Sequence, residues 1–425
     1  MSKRLAGLLG VVILVLIALL VACGSNYDSA SNGLLLVGSQ GSALVETFSF
    51  DLQSGHVSAI SNTPDNTASE ACVLPGLPSS IVMDPAGAYA FAILNSSDLC
   101  PGSKTGIMAF KVNSDGTTTQ VGSLVPDPNP VMMIMDPNGK SLYVAEGTKG
   151  LVNAYAIGSG GTFTAVNGTY KFVNGLGFQT PNIAWVATSY TVFPKIGLNG
   201  VQNAVCSAPQ NTPPKSEFLY AVDSLNNVAW EFGVDTSTGA LTNPPGTAAV
   251  QVFSTDQVPM GVAVDPCDRF VYVSDSLTNK VSAYVLCAYV NLLTGCPYAD
   301  GSLVQISGSP ISLSGSANGP GPLTVDAYGN YLYVLGTLSN TISPLKISPI
   351  SGGLTALTPP TVATGVGPIS IVVRGDDSWL FVANFGSQTQ GGNTVSQYSV
   401  TPETGVLLVA PAIPTDNYPW GLAVK

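Results

Sequence analysis

Three carboxylates stand at the same place in three similar phrases: Tyr143-Val144-Ala145-Glu146, Tyr220-Ala221-Val222-Asp223 and Tyr272-Val273-Ser274-Asp275. Asn95 and Asn384 close two further copies, Gly336 closes another, and Ser39 or Gln40 closes the first. Carboxylates gathered at one mouth can activate water as general bases or hold a divalent cation. Glu146, Asp223 and Asp275 are therefore the candidate catalytic residues, and Asn95 and Asn384 join them as candidate binding residues. The competing role is structural, because Asp and Asn at strand ends bond nearby backbone N–H groups. Other chemistry is sparse. The single histidine, His56, falls in a Gly55-His56 turn, and no G-x-S-x-G, P-loop, HExxH or EF-hand pattern occurs. No CxxC or Cys/His pair offers a metal site. Arg374-Gly375-Asp376 spells an adhesive tripeptide, but it stands where a turn is expected.

What positions these residues is a repeat. Proline, an alternating apolar run, an Asp-Pro-x-Gly turn and an aromatic/Val run recur from Pro78, Pro130, Pro259, Pro322 and Pro368. A degenerate copy starts at Pro181 and a truncated one at Pro419, so the spacings run from 46 to 78 residues. Repeats of roughly 40–50 residues are the range of propeller blades. Asp84-Pro85-Ala86-Gly87 and Asp136-Pro137-Asn138-Gly139 suit a type I turn, with Pro presetting φ at its second position. The flanking β-branched and aromatic runs suit strands buried on both faces. A third strand follows in every unit, as in Gly106–Val112, and then a fourth after a Gly turn. Such a meander buries both faces only by stacking on copies of itself.

The ends predict closure. The repeat region opens with second- and third-strand phrases at Leu34 and Leu44, and it finishes with an orphan first strand at Trp420–Lys425. Pairing the two completes one blade and removes an exposed edge. The expected fold is all-β: a seven-bladed propeller of four-stranded antiparallel blades, closed by the C-terminal strand joining the N-terminal blade.

Composition agrees. Of 425 residues, 45% are hydrophobic and only 9% charged, with 14 Lys+Arg against 25 Asp+Glu. Disorder needs the opposite balance, and helical solenoids need more charge. An acidic chain poor in cations is no partner for nucleic acid.

Lys3 and Arg4 precede an uncharged run from Leu5 to Ala22, which reads as a secretory leader. Leu20-Val21-Ala22-Cys23 resembles a bacterial lipobox, with lipidation at Cys23. The expected organisation is a leader at residues 1–22, a lipidated tether at 23–32 and one propeller domain at 33–425. The expected location is exported and lipid-anchored through Cys23, on the outer-membrane or periplasmic side in a Gram-negative host. Six cysteines remain, an even number outside the cytoplasm, which suggests disulfides. In propeller topology, turns after the second strand and linkers into the first share one face, and the remaining turns share the other. Cys72 and Cys100 share the first face, Cys206 and Cys267 lie between the first and second strands of the fourth and fifth blades, and Cys287 and Cys296 flank one insertion after a third strand, so the expected pairs are Cys72–Cys100, Cys206–Cys267 and Cys287–Cys296.

The phrases at Phe381–Asn384, Tyr272–Asp275 and Tyr143–Glu146, set in this repeat of Asp-Pro-x-Gly turns, resemble the YVTN-type propeller. More broadly they are similar to the lactonase family of seven-bladed propellers, which includes the propeller-type 6-phosphogluconolactonase. The likeness spans about Leu34 to Lys425. It implies the fold and raises lactone hydrolysis as an activity. A phosphorylated substrate would call for Arg, Lys or His near the mouth. Only 12 Lys+Arg and one His would remain after processing, none at those strand ends. The leading expectation is thus an envelope binding or interaction module with a protein or glycan partner. The alternative is a lactonase-like hydrolase of a neutral lactone or ester, with no cofactor beyond a divalent cation at the axial funnel. Two long insertions, residues 190–216 and the segment between Cys287 and Cys296, are the expected partner contacts.

Overall fold

The computed structural model describes residues 31–60, 72–147, 150–166, 170–171, 182–188, 217–247, 249–288, 295–296, 298, 300–387, 391–401 and 403–425. Seven antiparallel sheets stand around one axis, and the inner strand of each lies against the inner strand of the next until the ring closes. From the axis outwards the fifth blade runs Pro259–Val264, Phe270–Asp275, Lys280–Leu286 and Leu303–Gln305. In the third to sixth blades the outer strand is broken in two. Leu241–Thr242 and Gln251–Ser254, for example, both pair with Val228–Val234. The fold is the expected seven-bladed propeller.

The closing strand is Pro419–Val424, which pairs antiparallel with Asn32–Ser39. Its register sets Leu35 opposite Val424 and Val37 opposite Leu422, so the chain's last strand becomes the inner strand of the first blade. The repeat itself needs a correction of register. Pro130, Pro259 and Pro368 stand opposite Glu146, Asp275 and Asn384. The matching positions elsewhere are Leu77, Ile183 and Pro320, not Pro78, Pro181 and Pro322. A bulge follows this position in each of these inner strands, and it lets the alternating pattern slip against the proline. Pro181 lies outside the described residues.

The core lies between blades rather than within one. Second strands such as Ser141–Glu146, Glu217–Asp223 and Phe270–Asp275 are buried along their whole length, because both faces are covered by neighbouring sheets. Tyr220 and Val222 pack on Val271 and Tyr284 of the next blade, and Tyr272 and Val281 on Leu332 and Leu345. At the closing seam Phe50 meets Phe381 edge-on at 5.1 Å.

Polar stitches accompany these clusters. Tyrosines of successive second strands reach the glycine of the next blade's outer turn: Tyr220 to the Gly301 carbonyl (2.6 Å), Tyr272 to Gly352 (2.9 Å) and Tyr333 to Gly405 (3.1 Å). Gly405 holds φ +67, and a Cβ there would run into the Tyr331 ring. On the other face, Asn227, Asn279 and Asn340 each accept the backbone N–H of the residue before the next inner strand, at 2.8, 2.9 and 2.9 Å. Cys72–Cys100 and Cys287–Cys296 are disulfide-bonded, with Cα atoms 5.7 and 5.3 Å apart. Cys206, and with it the pairing expected for Cys267, lies outside the described residues.

Candidate functional site

The face carrying the turns after the second strands, here the first face, holds the candidate residues. Glu146, Asp275, Gly336 and Asn384 each lie opposite the start of an inner strand, as do Asn95, Asp223 and Ser39 in their own blades. They ring the axis at one level. Their side chains, however, turn into their own blades. Glu146 accepts the Asn153 amide at 3.2 Å, and the same amide reaches Asp127 at 3.2 Å. Asp223 caps its turn, taking the N–H groups of Leu225 and Asn226, the Asn226 amide (2.6 Å) and the Trp230 indole (3.4 Å). Asp275 accepts the Ser282 hydroxyl at 2.8 Å. Asn384 donates to Thr394 and Ser396, and Asn95 to Ser79.

Glu146, Asp223, Asp275 and Asn384 are fully buried. Burial pushes the Asp275 carboxyl up to about 7, with the Ser282 hydrogen bond opposing it. One oxygen each of Glu146 (Oε2), Asp275 (Oδ1) and Asn384 (Oδ1) has no hydrogen-bond partner. The carboxylates are held separately, one blade each. Among the described residues no three Asp, Glu, His or Cys side chains come together as a metal site.

A second set of acids escaped the sequence reading. Asp127, Asp256 and Asp416 precede inner strands in the pattern Asp-x-x-Pro, at Asp127–Pro130, Asp256–Pro259 and Asp416–Pro419. Each lies beside an acid of its blade. Asp127 shares Asn153 with Glu146, Asp256 faces Asp275 and pairs with Lys280 (2.9 Å), and the Asp416 N–H donates to Glu46 (3.0 Å). The Ser39 hydroxyl donates to the same Glu46 at 2.5 Å, and burial raises that carboxyl's pKa. The recurrent Asp three residues before Pro was the legible signal.

Beside polar and charged side chains such as Ser96, Asp98, Lys104 and Asn417, the first face shows several apolar ones to solvent. Leu225, Leu277 and Leu338 occupy the same turn position in three consecutive blades and are 50, 65 and 73% exposed. Val131 and Met260, second residues of their inner strands, are exposed as well. Tyr418, Phe385 and Trp420 gather where the ring closes, with ring centres 5.3 and 4.9 Å from Phe385.

The described arginines belong to the opposite face. Arg269 holds Asp265 (2.7 Å) and the Gly329 carbonyl (2.7 Å). Arg374 binds Asp376 and the Lys425 carbonyl, and Asp376 also takes the Ser378 N–H and hydroxyl. The Arg-Gly-Asp tripeptide is thus closed on itself as a turn. His56 is exposed, in a turn where the Ser54 hydroxyl donates to Asp51 (2.7 Å) and accepts the His56 backbone N–H. The Ser54 hydroxyl is thereby committed to Asp51 rather than to an imidazole.

Two disulfides fit a non-cytoplasmic setting. No helix among the described residues is long and apolar enough to cross a membrane.

No protein-family model matches the chain, and no curated protein sequence matches it. Solved structures do. A Bacteroides uniformis protein provisionally named a 6-phosphogluconolactonase aligns over 93% of this chain and 100% of its own, with TM-score 0.68 and 19% identity. The periplasmic gluconolactonase PpgL of Pseudomonas aeruginosa aligns over 93% and 99%, with TM-score 0.65 and 17% identity. A Lactobacillus plantarum protein aligns over 93% and 99%, with TM-score 0.64 and 14% identity. The chain is a seven-bladed propeller, and it shares its fold with these solved structures.

Proposed function

We propose that this protein is a binding module of the cell envelope whose first face captures an uncharged protein or glycan partner. One observation carries the reading: at the axial mouth Glu146, Asp223 and Asp275 are sealed inside separate blades, while Leu225, Leu277, Leu338 and Tyr418 stand exposed on the same face. Exposed apolar groups clustered on one face of a rigid scaffold serve recognition.

Lipidation at Cys23 belongs to the same proposal and orients the module. Asn32 opens its strand opposite Asp51, at the start of the outer turn, and so lies on the second face. A tether of about nine residues spans at most roughly 30 Å. The second face then looks toward the bilayer and the first face away from it.

The test applies labelled protein to envelope fragments of the producing cells. Capture is expected, is lost in the Leu277→Asp/Leu338→Asp double variant and is retained in Ile350→Asp, whose side chain is exposed in a turn of the second face. Capture indifferent to the leucines refutes the reading.

The second reading is hydrolysis of a neutral lactone or ester, favoured by the fold shared with a periplasmic gluconolactonase. It needs Glu146, Asp223 or Asp275 to become accessible to water and substrate. Turnover on a lactone panel, measured with and without EDTA and lost in Asp275→Asn, would establish it.

A further inference from the structure

We propose that Tyr418, Phe385 and Trp420, at the first-face seam between the seventh and first blades, form a stacking platform for a neutral sugar ring. The inference deepens the binding role above and rests on it.

The three rings form one group around Phe385, yet the group is not a finished core. Tyr418 is 38% exposed, and Phe385 and Trp420 are half-buried. Deeper in the same seam Phe50 and Phe381 are buried completely, so the fold encloses aromatic rings where it needs core. Rings left partly open at a mouth are recognition surface, apolar on their faces and able to order a flat ligand.

The backbone supplies a separate observation. Tyr418 holds φ +59, a left-handed conformation disfavoured for any residue with a Cβ. The corresponding residues before the inner strands of the sixth and seventh blades are Gly319 and Gly367, at φ +60 and +65. Val258 shares the conformation in the fifth blade, with its side chain half-buried. At Tyr418 the strained residue packs its ring on Phe385 and leaves it 38% exposed at the surface. Strain maintained where glycine would relieve it points to a side chain retained for what it contacts.

The chemistry around the rings selects the ligand. Asn417 is exposed, and Gln40 beside it donates to the Pro78 carbonyl at 3.3 Å. The Asp416 carboxylate accepts the Ser42 N–H at 2.7 Å. Planar amides and a carboxylate match sugar hydroxyls, and the aromatic faces beside them match the C–H face of the ring. The guanidinium groups of Arg269 and Arg374 are engaged on the opposite face, so a phosphate or uronate would meet Asp416 rather than either of them. An uncharged pyranose is the class that fits.

The experiment titrates the full chain with cellohexaose, laminarihexaose and maltohexaose, with glucose 6-phosphate as charged counter-probe, reading tryptophan fluorescence and heat. Saturable binding of at least one neutral sugar is expected, with none for the phosphate. Tyr418→Gly keeps the backbone conformation and should lower affinity roughly tenfold. Trp420→Phe should remove most of the fluorescence change while the heat of binding persists. No saturable binding by any of the three sugars, or unaltered affinity in Tyr418→Gly, overturns the platform. If envelope capture still depends on Leu277 and Leu338 while the sugars do not bind, only this inference falls. If capture ignores the leucines, the binding role falls whatever the sugars do.

Discussion

Asp326 of the sixth blade and Asp377 of the seventh face each other across their seam, both buried and each acting on the other's ionisation. Asp326 also takes the N–H groups of Asn330 and Tyr331, and Asp377 takes that of Ala327 (2.7 Å). Burial and mutual repulsion raise Asp326, with Asp265 adding to it. Burial leads at Asp377, where Asp376 also raises and the contact with Asp326 opposes. Two such groups share a proton more readily than they both ionise.

The pair predicts stability that falls with alkalinity. Glu217 is raised to about 8, Glu231 to about 9 and Asp275 to about 7, each chiefly by burial. A carboxylate whose folded pKa lies above its unfolded value contributes stability below the unfolded pKa and loses it as pH climbs through the folded one. The melting temperature should therefore drop from about pH 5 to about pH 9, and less steeply in Asp326→Asn. Exposed Asp51, Asp115 and Asp235, lowered by hydrogen bonds from neighbouring hydroxyl and N–H groups, act in the opposite sense only at strongly acid pH. Calorimetry across the range decides; a melting temperature that rises with pH contradicts the assignment.

Removing one stitch should cost measurable stability. Tyr272→Phe deletes the hydroxyl that reaches the Gly352 carbonyl and leaves that carbonyl short of a partner. A loss of about 1–2 kcal/mol is expected in urea unfolding, with an unchanged slope.

Val258 should tolerate glycine better than its β-branched side chain suggests. At φ +56 valine is strained, and Gly319 and Gly367 fill the same position in the next two blades. Relief of about 1–2 kcal/mol is partly cancelled by glycine's greater entropy in the unfolded chain, so Val258→Gly should be neutral or stabilising by up to about 1 kcal/mol. Asn227→Ala, which strands the Val258 N–H, should instead destabilise by about 1–3 kcal/mol.

Deleting Pro419–Lys425 should open the ring. Leu35 and Val37 lose their inner-strand neighbours, and Asn32–Ser39 becomes an unpaired edge. Size-exclusion chromatography should show association in place of a monodisperse peak, and thermal unfolding should lose its single sharp transition. A truncated chain that melts like the parent would show that closure contributes nothing.

The arrangement of blades was legible because it is repetitive. The Asp-Pro-x-Gly turns, the alternating runs and the orphan strand at Trp420–Lys425 each state a local rule, and repetition lets one copy correct another. Cys72–Cys100 followed from a shared face and Cys287–Cys296 from flanking one insertion. The mouth was harder to read. Glu146, Asp223 and Asp275 do lie at one level around the axis. Whether they open to it depends on Asn153, Trp230 and Ser282, one strand away in register.

Taken alone, the residue order determined the blades and their turns, which depend on neighbours within a few dozen positions, and the joining of tail to head, because each end carries an incomplete unit that the other completes. Only the assembled ring decided that the acids are enclosed and that Leu277, Leu338 and Tyr418 meet solvent. Strand alternation assigns residues to two sides of a sheet, and what covers each side is supplied by another blade and by the bulge that starts each inner strand.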